Sequence, residues 1–133
     1  RRSSDLVVFS AATSGTATTL NTSGSNLTFN PSTGDLGAVG FNTTSDERLK
    51  ENIQPITDAL NVVDLLEGKT YQFIASGKKS SGVIAQELFD VLPDLVTEDE
   101  QGYLSVSYMG IVPYLIEAIK ELRKEVELLK GGQ

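Results

Sequence analysis

The stretch IVPYLIEAIKELRKEVELLK, residues 111–130, decides the fold class of this 133-residue chain. Its apolar residues recur alternately three and four positions apart, which is the spacing of the contact face of a coiled coil. Charged side chains occupy the other faces, and two glycines follow the stretch. The spacing therefore predicts one long helix whose apolar seam consists of Val112, Leu115, Ile119, Leu122, Val126 and Leu129.

Two interpretations of this helix compete. A surface helix docked on its own domain usually shows a wider apolar stripe than this two-position seam, so the pattern favours oligomerisation. About two and a half heptads form a marginal coiled coil alone, so we expect the globular part to support the helix. Because β-branched residues alternate with leucines along the seam, the pattern by itself leans towards dimers rather than trimers.

Residues 46–110 alternate between helical and strand-like patterns. Ser45 followed by two acids predicts a helix start, and Pro55 fits the first turn of a second helix that Gly68 ends. A third helical pattern stops at Pro93. The remaining segments alternate as strands do or have the composition of turns. The prediction is an α+β domain with a helix over residues 83–92, strands over residues 69–75 and 103–108, and turns over residues 76–82 and 98–102.

Residues 1–45 differ from the rest in being rich in Ser, Thr, Gly and Asn. Short apolar bursts alternate with turn signals, which predicts short strands at residues 6–9, 27–29 and 36–39. So few large apolar side chains cannot offset the conformational entropy of ordering a separate globule. We therefore expect three copies to wind round one axis as a fibrous, triple-β-helix-like stem over residues 1–45, followed by a second domain over residues 46–133.

Composition and charge narrow the possible functions. The net charge is −7, which argues against a nucleic-acid partner because phosphate binding needs clustered Lys and Arg. The charges of residues 1–45 sum to zero, so all the excess negative charge follows Ser45. The chain has no Cys and no His, so disulfides and the commonest general base and metal ligand are missing, and we predict no metal and no cofactor. We also predict no membrane partner, because neither a membrane-spanning run nor a signal peptide is visible. Because the sequence begins with Arg1, we expect a longer polypeptide.

Ser45 and Lys50 are the candidate catalytic pair. A serine with a lysine as its base is one of the few hydrolytic pairs open to a chain without His or Cys. Lys50 would have to be uncharged, which desolvation favours. On a regular helix the two side chains would lie roughly 140° apart, so pairing needs a bend at Ser45 or a Lys50 from a neighbouring chain. Taken alone, the spacing favours a structural interpretation, with Ser45 as a helix N-cap and Lys50 as a solvated charge.

The segment SDERLKENI, residues 45–53, resembles the Ser-Asp-x-Arg-x-Lys-x-x-Ile signature of the C-terminal autopeptidase chaperones of phage tail spikes, tail fibres, neck appendages and endosialidases. Three further blocks resemble that family in the same order. They are Tyr71 with Phe73, GVIAQE at residues 82–87 with VLP at residues 91–93, and Tyr108 with LIEAIKEL at residues 115–122. Residues 29–36 also resemble a repeat end of tail fibres.

The resemblance implies that Ser45 is a nucleophile, that Lys50 is its general base, and that the cut falls between Ser45 and Asp46. The adjacent bond stays open. Attack by Ser45 on the Thr44 carbonyl closes a five-membered ring and cuts before Ser45, whereas attack on its own carbonyl needs a strained four-membered ring. Arg48 is a supporting residue, which together with Asp46 shapes the turn or, through its like charge, keeps Lys50 uncharged.

The family resemblance also implies a biological role. Two further identical chains would join this one in a homotrimer that aligns the upstream fibre stem for folding and then releases itself by cutting its own chain once. Assembly would take place in the host bacterial cytoplasm, and the mature fibre would join the virion without the chaperone domain. Two alternatives are a permanently attached trimeric tail-fibre tip and, with less support because no substrate groove is visible, a serine–lysine hydrolase acting on other proteins.

Overall fold

A hairpin is the main element of the first of two units. The computed structural model describes residues 27–30 and 34–132, and the chain divides between Leu49 and Lys50. Strand β1 (Leu27–Asn30) pairs antiparallel with β2 (Asp35–Ala38), which confirms two of the predicted strands. The strand predicted at residues 6–9 lies outside the described residues. The triple winding of such strands stays a prediction.

The helix predicted to start at Ser45 is a single 3₁₀ turn, Glu47–Leu49. The capping side chain is Asp46, since its Oδ1 accepts a hydrogen bond of 2.9 Å from the backbone N–H of Arg48. The helix does not continue because Asn52 has a φ of 52°, which a right-handed helix cannot include. The predicted helix is therefore replaced by one turn, and the backbone turns directly after Ser45.

The second unit begins with helix α1 (Ala59–Asp64), which is shorter than the helix predicted from Pro55 to Gly68. Asp58 has a left-handed φ of 59°, so the helix cannot begin before Ala59. Proline is preferred at the first position of a helix, but here the left-handed Asp58, three positions after Pro55, keeps Pro55 outside the helix.

Strands β3 (Lys69–Gln72) and β4 (Lys79–Gly82) follow α1 and form an antiparallel hairpin. The first strand confirms the start of the strand predicted over residues 69–75. The turn predicted over residues 76–82 is wrong in its second half, because backbone hydrogen bonds pair that polar segment with β3. A two-stranded hairpin on the surface does not require the apolar alternation by which strands are recognised in a sequence.

The remaining elements follow the predicted order with two differences. Residues Val96–Glu98 form a strand that was not predicted, and the strand predicted over residues 103–108 ends at Val106 because Tyr108 begins the long helix. Pro93 stops the short helix as predicted, and the acidic turn joins two strands, with the Asp99 N–H donating to the Tyr103 carbonyl at 3.0 Å. The long C-terminal helix is confirmed. These elements are α2 (Ala85–Val91), a 3₁₀ turn (Pro93–Leu95), β5 (Val96–Glu98), β6 (Leu104–Val106) and α3 (Tyr108–Gly131).

The core of the second unit is small and lies where α2 meets α3. Leu88, Leu92 and Ile111 form its centre, and partly buried side chains from α1, β5 and β6 surround them. Three separate two-stranded antiparallel sheets and three α-helices make up the described chain, which is the predicted α+β class. None of the helices over residues 34–132 is long and apolar enough to cross a bilayer.

Candidate functional site

Ser45 lies in exposed, irregular backbone between β2 and the 3₁₀ turn. Directly after it, the Asp46 carboxylate and the Arg48 guanidinium form a two-pronged ion pair, with Nε–Oδ1 and Nη2–Oδ2 distances of 3.0 and 2.7 Å. The backbone N–H of Leu49 donates to the Asp46 carbonyl at 3.1 Å. One aspartate thus holds the side chain and the backbone of the turn together, and this turn fixes how the chain leaves Ser45.

The Asp46–Arg48 pair bears on two predicted roles. The hydrogen bond to Asp46 raises the pKa of Arg48, so the guanidinium stays charged and its charge is offset within the turn. This geometry favours the turn-shaping role of Arg48 over a like-charge effect on Lys50. The N–H groups of Arg48 and Leu49 donate to Asp46, so neither is available to stabilise an oxyanion.

Lys50 is exposed and is the first residue of the second unit. Ser45, Asp46 and Arg48 belong to the first unit. The boundary between the units therefore falls inside the proposed dyad, and the pairing of Ser45 with Lys50 stays a prediction. Over residues 27–30 and 34–132, no group of three or more acidic side chains is placed as a metal site requires.

Helix α3 has two apolar faces with different surroundings. Ile111 and Ala118, 8% and 4% exposed, pack against the body of the second unit. Each is followed in sequence by a seam residue, Val112 and Ile119, which lies about 100° further round the helix. The predicted seam is exposed along its whole length, its six side chains being between 40% and 76% exposed. Docking on the domain therefore uses one face and leaves the seam in water.

Comparison with known proteins identifies the family of the segment that begins at Ser45. The family described as "chaperone of endosialidase", whose name also contains the word peptidase, matches residues 45–97. Residues 45–97 belong to the chaperone-of-endosialidase family. This confirms the family that the sequence motifs predict, and we call this segment the chaperone domain.

Long tail fibre proteins of several phages are similar to the chain that contains the chaperone domain. Those of Enterobacteria phages K3 and T2 are each 40% identical over 106 residues, covering 73% of this chain and 8% of the fibre protein. The long tail fibre protein of Salmonella phage S16 is 32% identical over 102 residues, which cover 68% of this chain and 14% of the fibre protein. The chain thus spans less than a tenth of the length of the K3 and T2 proteins.

Two of the motif blocks contact each other at the edge of the chaperone domain. The hydroxyl of Tyr108, at the start of α3, accepts a hydrogen bond of 3.1 Å from the backbone N–H of Val83. The same phenol lies so close to Gly82 that a Cβ at that position would overlap it. The glycine and the tyrosine therefore place the start of α3 against the end of β4.

The chaperone domain also contacts α3 through Glu121, a residue that sequence reasoning treated only as a surface charge. Its carboxylate accepts hydrogen bonds from the backbone N–H groups of Ala59 and Leu60, at 3.1 and 2.7 Å. These bonds hold the pKa of Glu121 below its ordinary value. The partners are more than sixty residues apart in sequence, so no local spacing could have revealed the contact.

Proposed function

We propose that residues 46–133 form the assembly domain of a phage tail fibre, which trimerises, aligns the upstream stem and then releases itself by a cut in the backbone beside Ser45. The exposed seam of α3, next to a chaperone domain, is the observation that carries the proposal. The similar fibre proteins support the tail-fibre context. Assembly in the host cytoplasm and a mature fibre in the virion without the assembly domain are parts of the same proposal.

The seam supports self-association on energetic grounds. Burying a side chain such as Leu or Ile contributes about 1.5–3 kcal/mol relative to leaving it in water. The single chain leaves six such residues exposed in one line on α3. The order of β-branched residues and leucines leans towards a dimer, whereas the family resemblance favours a trimer, so we propose three chains on the strength of the family.

Releasing the assembly domain has a physical advantage for a fibre. Three Ser-, Thr- and Gly-rich chains must enter one register, and such non-local pairing is slow. A domain that folds through local contacts forms first and holds the chains together. Once it is removed, the fibre persists because its barrier to unfolding is high, whatever its equilibrium stability.

The cut needs only the hydroxyl of Ser45, the amine of Lys50 and one water. The neutral amine takes the proton of the hydroxyl as Oγ attacks a carbonyl carbon. The C–N bond of that peptide then breaks, and the leaving nitrogen receives the proton from the lysine. Water hydrolyses the resulting ester, which restores the hydroxyl and leaves a carboxylate. Both bonds beside Ser45 stay open to this chemistry, with the Ser45–Asp46 bond as the proposed one.

Because Lys50 is exposed, the proposed mechanism depends on a change in the surroundings of this lysine. An amine acts as a base only when it is uncharged, and removal from water is what disfavours its charged form. Lys50 is exposed in the single chain, so the proposed cut requires that assembly cover it. Cleavage is therefore expected in the trimer and not in the monomer.

Substitutions at Ser45 and Lys50 test the proposal. Ser45→Ala removes the nucleophile, and Lys50→Arg keeps a positive charge that cannot be lost in the protein. We expect both variants to assemble and to stay whole, whereas the wild type and the controls Ser105→Ala and Lys130→Arg are cut. Intact mass spectrometry identifies the bond, and native mass spectrometry counts the chains. Processing of Ser45→Ala at the wild-type rate would exclude the dyad.

A permanently attached fibre tip is the second candidate, and the exposure of Lys50 favours it. In this case freshly made wild-type protein gives a single full-length band on a denaturing gel at every time point. Native mass spectrometry still finds an oligomer, because the seam is the same. The two proposals thus differ in the gel and agree in the oligomeric state.

A further inference from the structure

Glu121 connects the seam helix to the segment that begins with Lys50. Its two carboxylate oxygens each accept one backbone N–H at the start of α1, those of Ala59 and Leu60. Both lie in the first turn, where the N–H groups have no partner within the helix. Hydrogen bonds to a charged acceptor are about twice as strong as neutral ones, so this contact holds the two elements together.

Helix α1 has no side-chain cap of its own. Asp58 is the N-cap residue, but its left-handed backbone aims its carboxylate elsewhere and no cap hydrogen bond forms. Instead, its Oδ1 accepts a hydrogen bond from the side-chain amide of Asn61. The role that a local Ser or Asp usually plays is therefore played by a residue of α3.

The chain between Lys50 and α1 contains no helix or strand, and its fixed point is α1. Ala59 is completely buried at the start of the helix, whereas Ile53 is 59% exposed. Ala59 lies nine positions after Lys50, and an extended chain of that length spans at most about 30 Å. The position of Ala59 thus limits where Lys50 can lie, and Glu121 holds Ala59 to α3.

Glu121 is also the immediate neighbour of the seam. Leu122 follows it directly and lies about 100° further round α3, on the exposed face. A partner helix that packs on Leu122 would therefore lie beside the turn of α3 that carries Glu121. The two hydrogen bonds connect the same turn of α3 to the start of α1, which the segment from Lys50 precedes.

We propose that Glu121 is a positioning residue that couples the seam helix to self-cleavage: it ties α3, on which the chains associate, to α1, and so limits where the segment that begins with Lys50 lies during the reaction. This inference rests on the proposed function. Glu121 does not touch the reacting atoms and acts through the backbone of residues 50–60.

Three substitutions at Glu121 separate positioning from folding. Glu121→Ala removes both acceptors, Glu121→Asp keeps the charge but shortens the side chain by one methylene, and Glu121→Gln keeps the length with one acceptor. Glu125→Gln, an exposed change one turn further along α3, is the control. The full 133-residue chain is made in a cell-free reaction and sampled over time. Each sample is divided between a denaturing gel and native mass spectrometry.

We expect the assembled fraction to remain similar, while the rate of self-cleavage within it falls at least tenfold for Glu121→Ala and Glu121→Asp and less for Glu121→Gln. Glu125→Gln should match the wild type. A purely structural role would lower the assembled fraction and leave the rate within that fraction unchanged. That result would overturn the inference, as would the failure of all three variants to assemble.

The wild type distinguishes failure of the inference from failure of the proposed function. If wild-type protein assembles and is never cut, the proposed function fails. If the wild type is cut and the three variants are cut equally fast once assembled, only the coupling fails. Hydrogen exchange of the Ala59 and Leu60 amides in uncut Ser45→Ala protein adds a direct readout. Both amides should exchange faster when Glu121→Ala is added, and unchanged exchange would contradict the contact.

Discussion

Two glycines set how closely the segments of the second unit approach each other. At Gly82 the missing side chain makes room for the hydroxyl of Tyr108, and at Gly110 it makes room for the side chain of Leu95. Neither glycine has a positive φ, so the reason for glycine at both positions is space and not backbone conformation. At both positions, close packing against a neighbouring side chain is therefore what requires glycine.

Gly110→Ala tests this reasoning because two effects oppose each other. Alanine is favoured over glycine inside a helix by about 1 kcal/mol. The added Cβ would overlap Leu95, and overpacking of this kind costs about 1–3 kcal/mol, so we expect a net loss of stability. Gly131→Ala, in the same helix with open space around it, is the control and should be neutral or slightly stabilising. Chemical denaturation of the uncut Ser45→Ala chain measures both, and equal effects would contradict the packing argument.

At the scale of elements, α3 has one face that belongs to its own domain and another that remains available. The first face includes Ile111 and Ala118, and the second is the seam. This arrangement predicts that changes on the seam affect association and leave the fold of the single chain intact, because the seam makes no contribution to the core.

Leu122→Glu compared with Leu128→Glu tests the division of faces. Both leucines are exposed on α3, but only Leu122 lies on the seam. Losing the burial of one leucine and placing a charge there should weaken association by about 10- to 100-fold per chain. We expect Leu128→Glu to change association little. Sedimentation at several protein concentrations measures the constants, and circular dichroism checks the fold. Equal weakening by both changes would exclude the seam as the contact face.

The sequence predicted the elements that have a strong local pattern. The period of α3, the stop at Pro93 and the alternation after Lys69 were sufficient. Strand β4 was missed because its lysine and serines pair through their backbone, which leaves no mark on the pattern of side chains. The predicted start of α1 was wrong because Asp58 adopts a left-handed backbone conformation. Aspartate permits this conformation but does not require it, so the residue type alone does not predict it.

The candidate site could be predicted only in part for the same kind of reason. Ser45, Asp46 and Arg48 form a contiguous motif, and the turn that they form depends on residues two apart. The contact of Glu121 with α1 joins residues more than sixty positions apart. Propensity and spacing act over a few residues, so a contact of this separation is decided by packing alone.

For the whole molecule, the carboxylates make stability depend on pH. Glu121 and Glu67 have pKa values below their ordinary ones, through backbone hydrogen bonds to Leu60 and Ala59 in the first case and through the Lys69 ammonium in the second. A lowered pKa gives stability that is present above the unfolded-state pKa of about 4.3 and is lost as the pH falls through the folded-state value. Glu67 is exposed, so its ion pair with Lys69 contributes little.

Glu121→Gln therefore changes the pH profile. Lys124 is the charged side chain that acts on Glu121 besides the amides of α1, and it adds to the lowering. In uncut Ser45→Ala protein at fixed concentration, we expect the stability difference between Glu121 and Glu121→Gln to be constant from pH 7 to about pH 5 and to narrow below about pH 4.3. Denaturation midpoints across this range measure it. Parallel profiles down to pH 3 would show that the Glu121 carboxylate adds no pH-dependent stability.

The long reach of Glu121 has a consequence for the order of events during protein synthesis. The ribosome makes Ser45, Lys50 and α1 well before residue 121. A nascent chain, or one that terminates before residue 121, therefore lacks the carboxylate that binds the start of α1. Only a polypeptide translated past residue 121 can complete the contact. Self-cleavage that depends on this residue would then start only after residue 121 has been made, and products truncated before it would keep their stems attached.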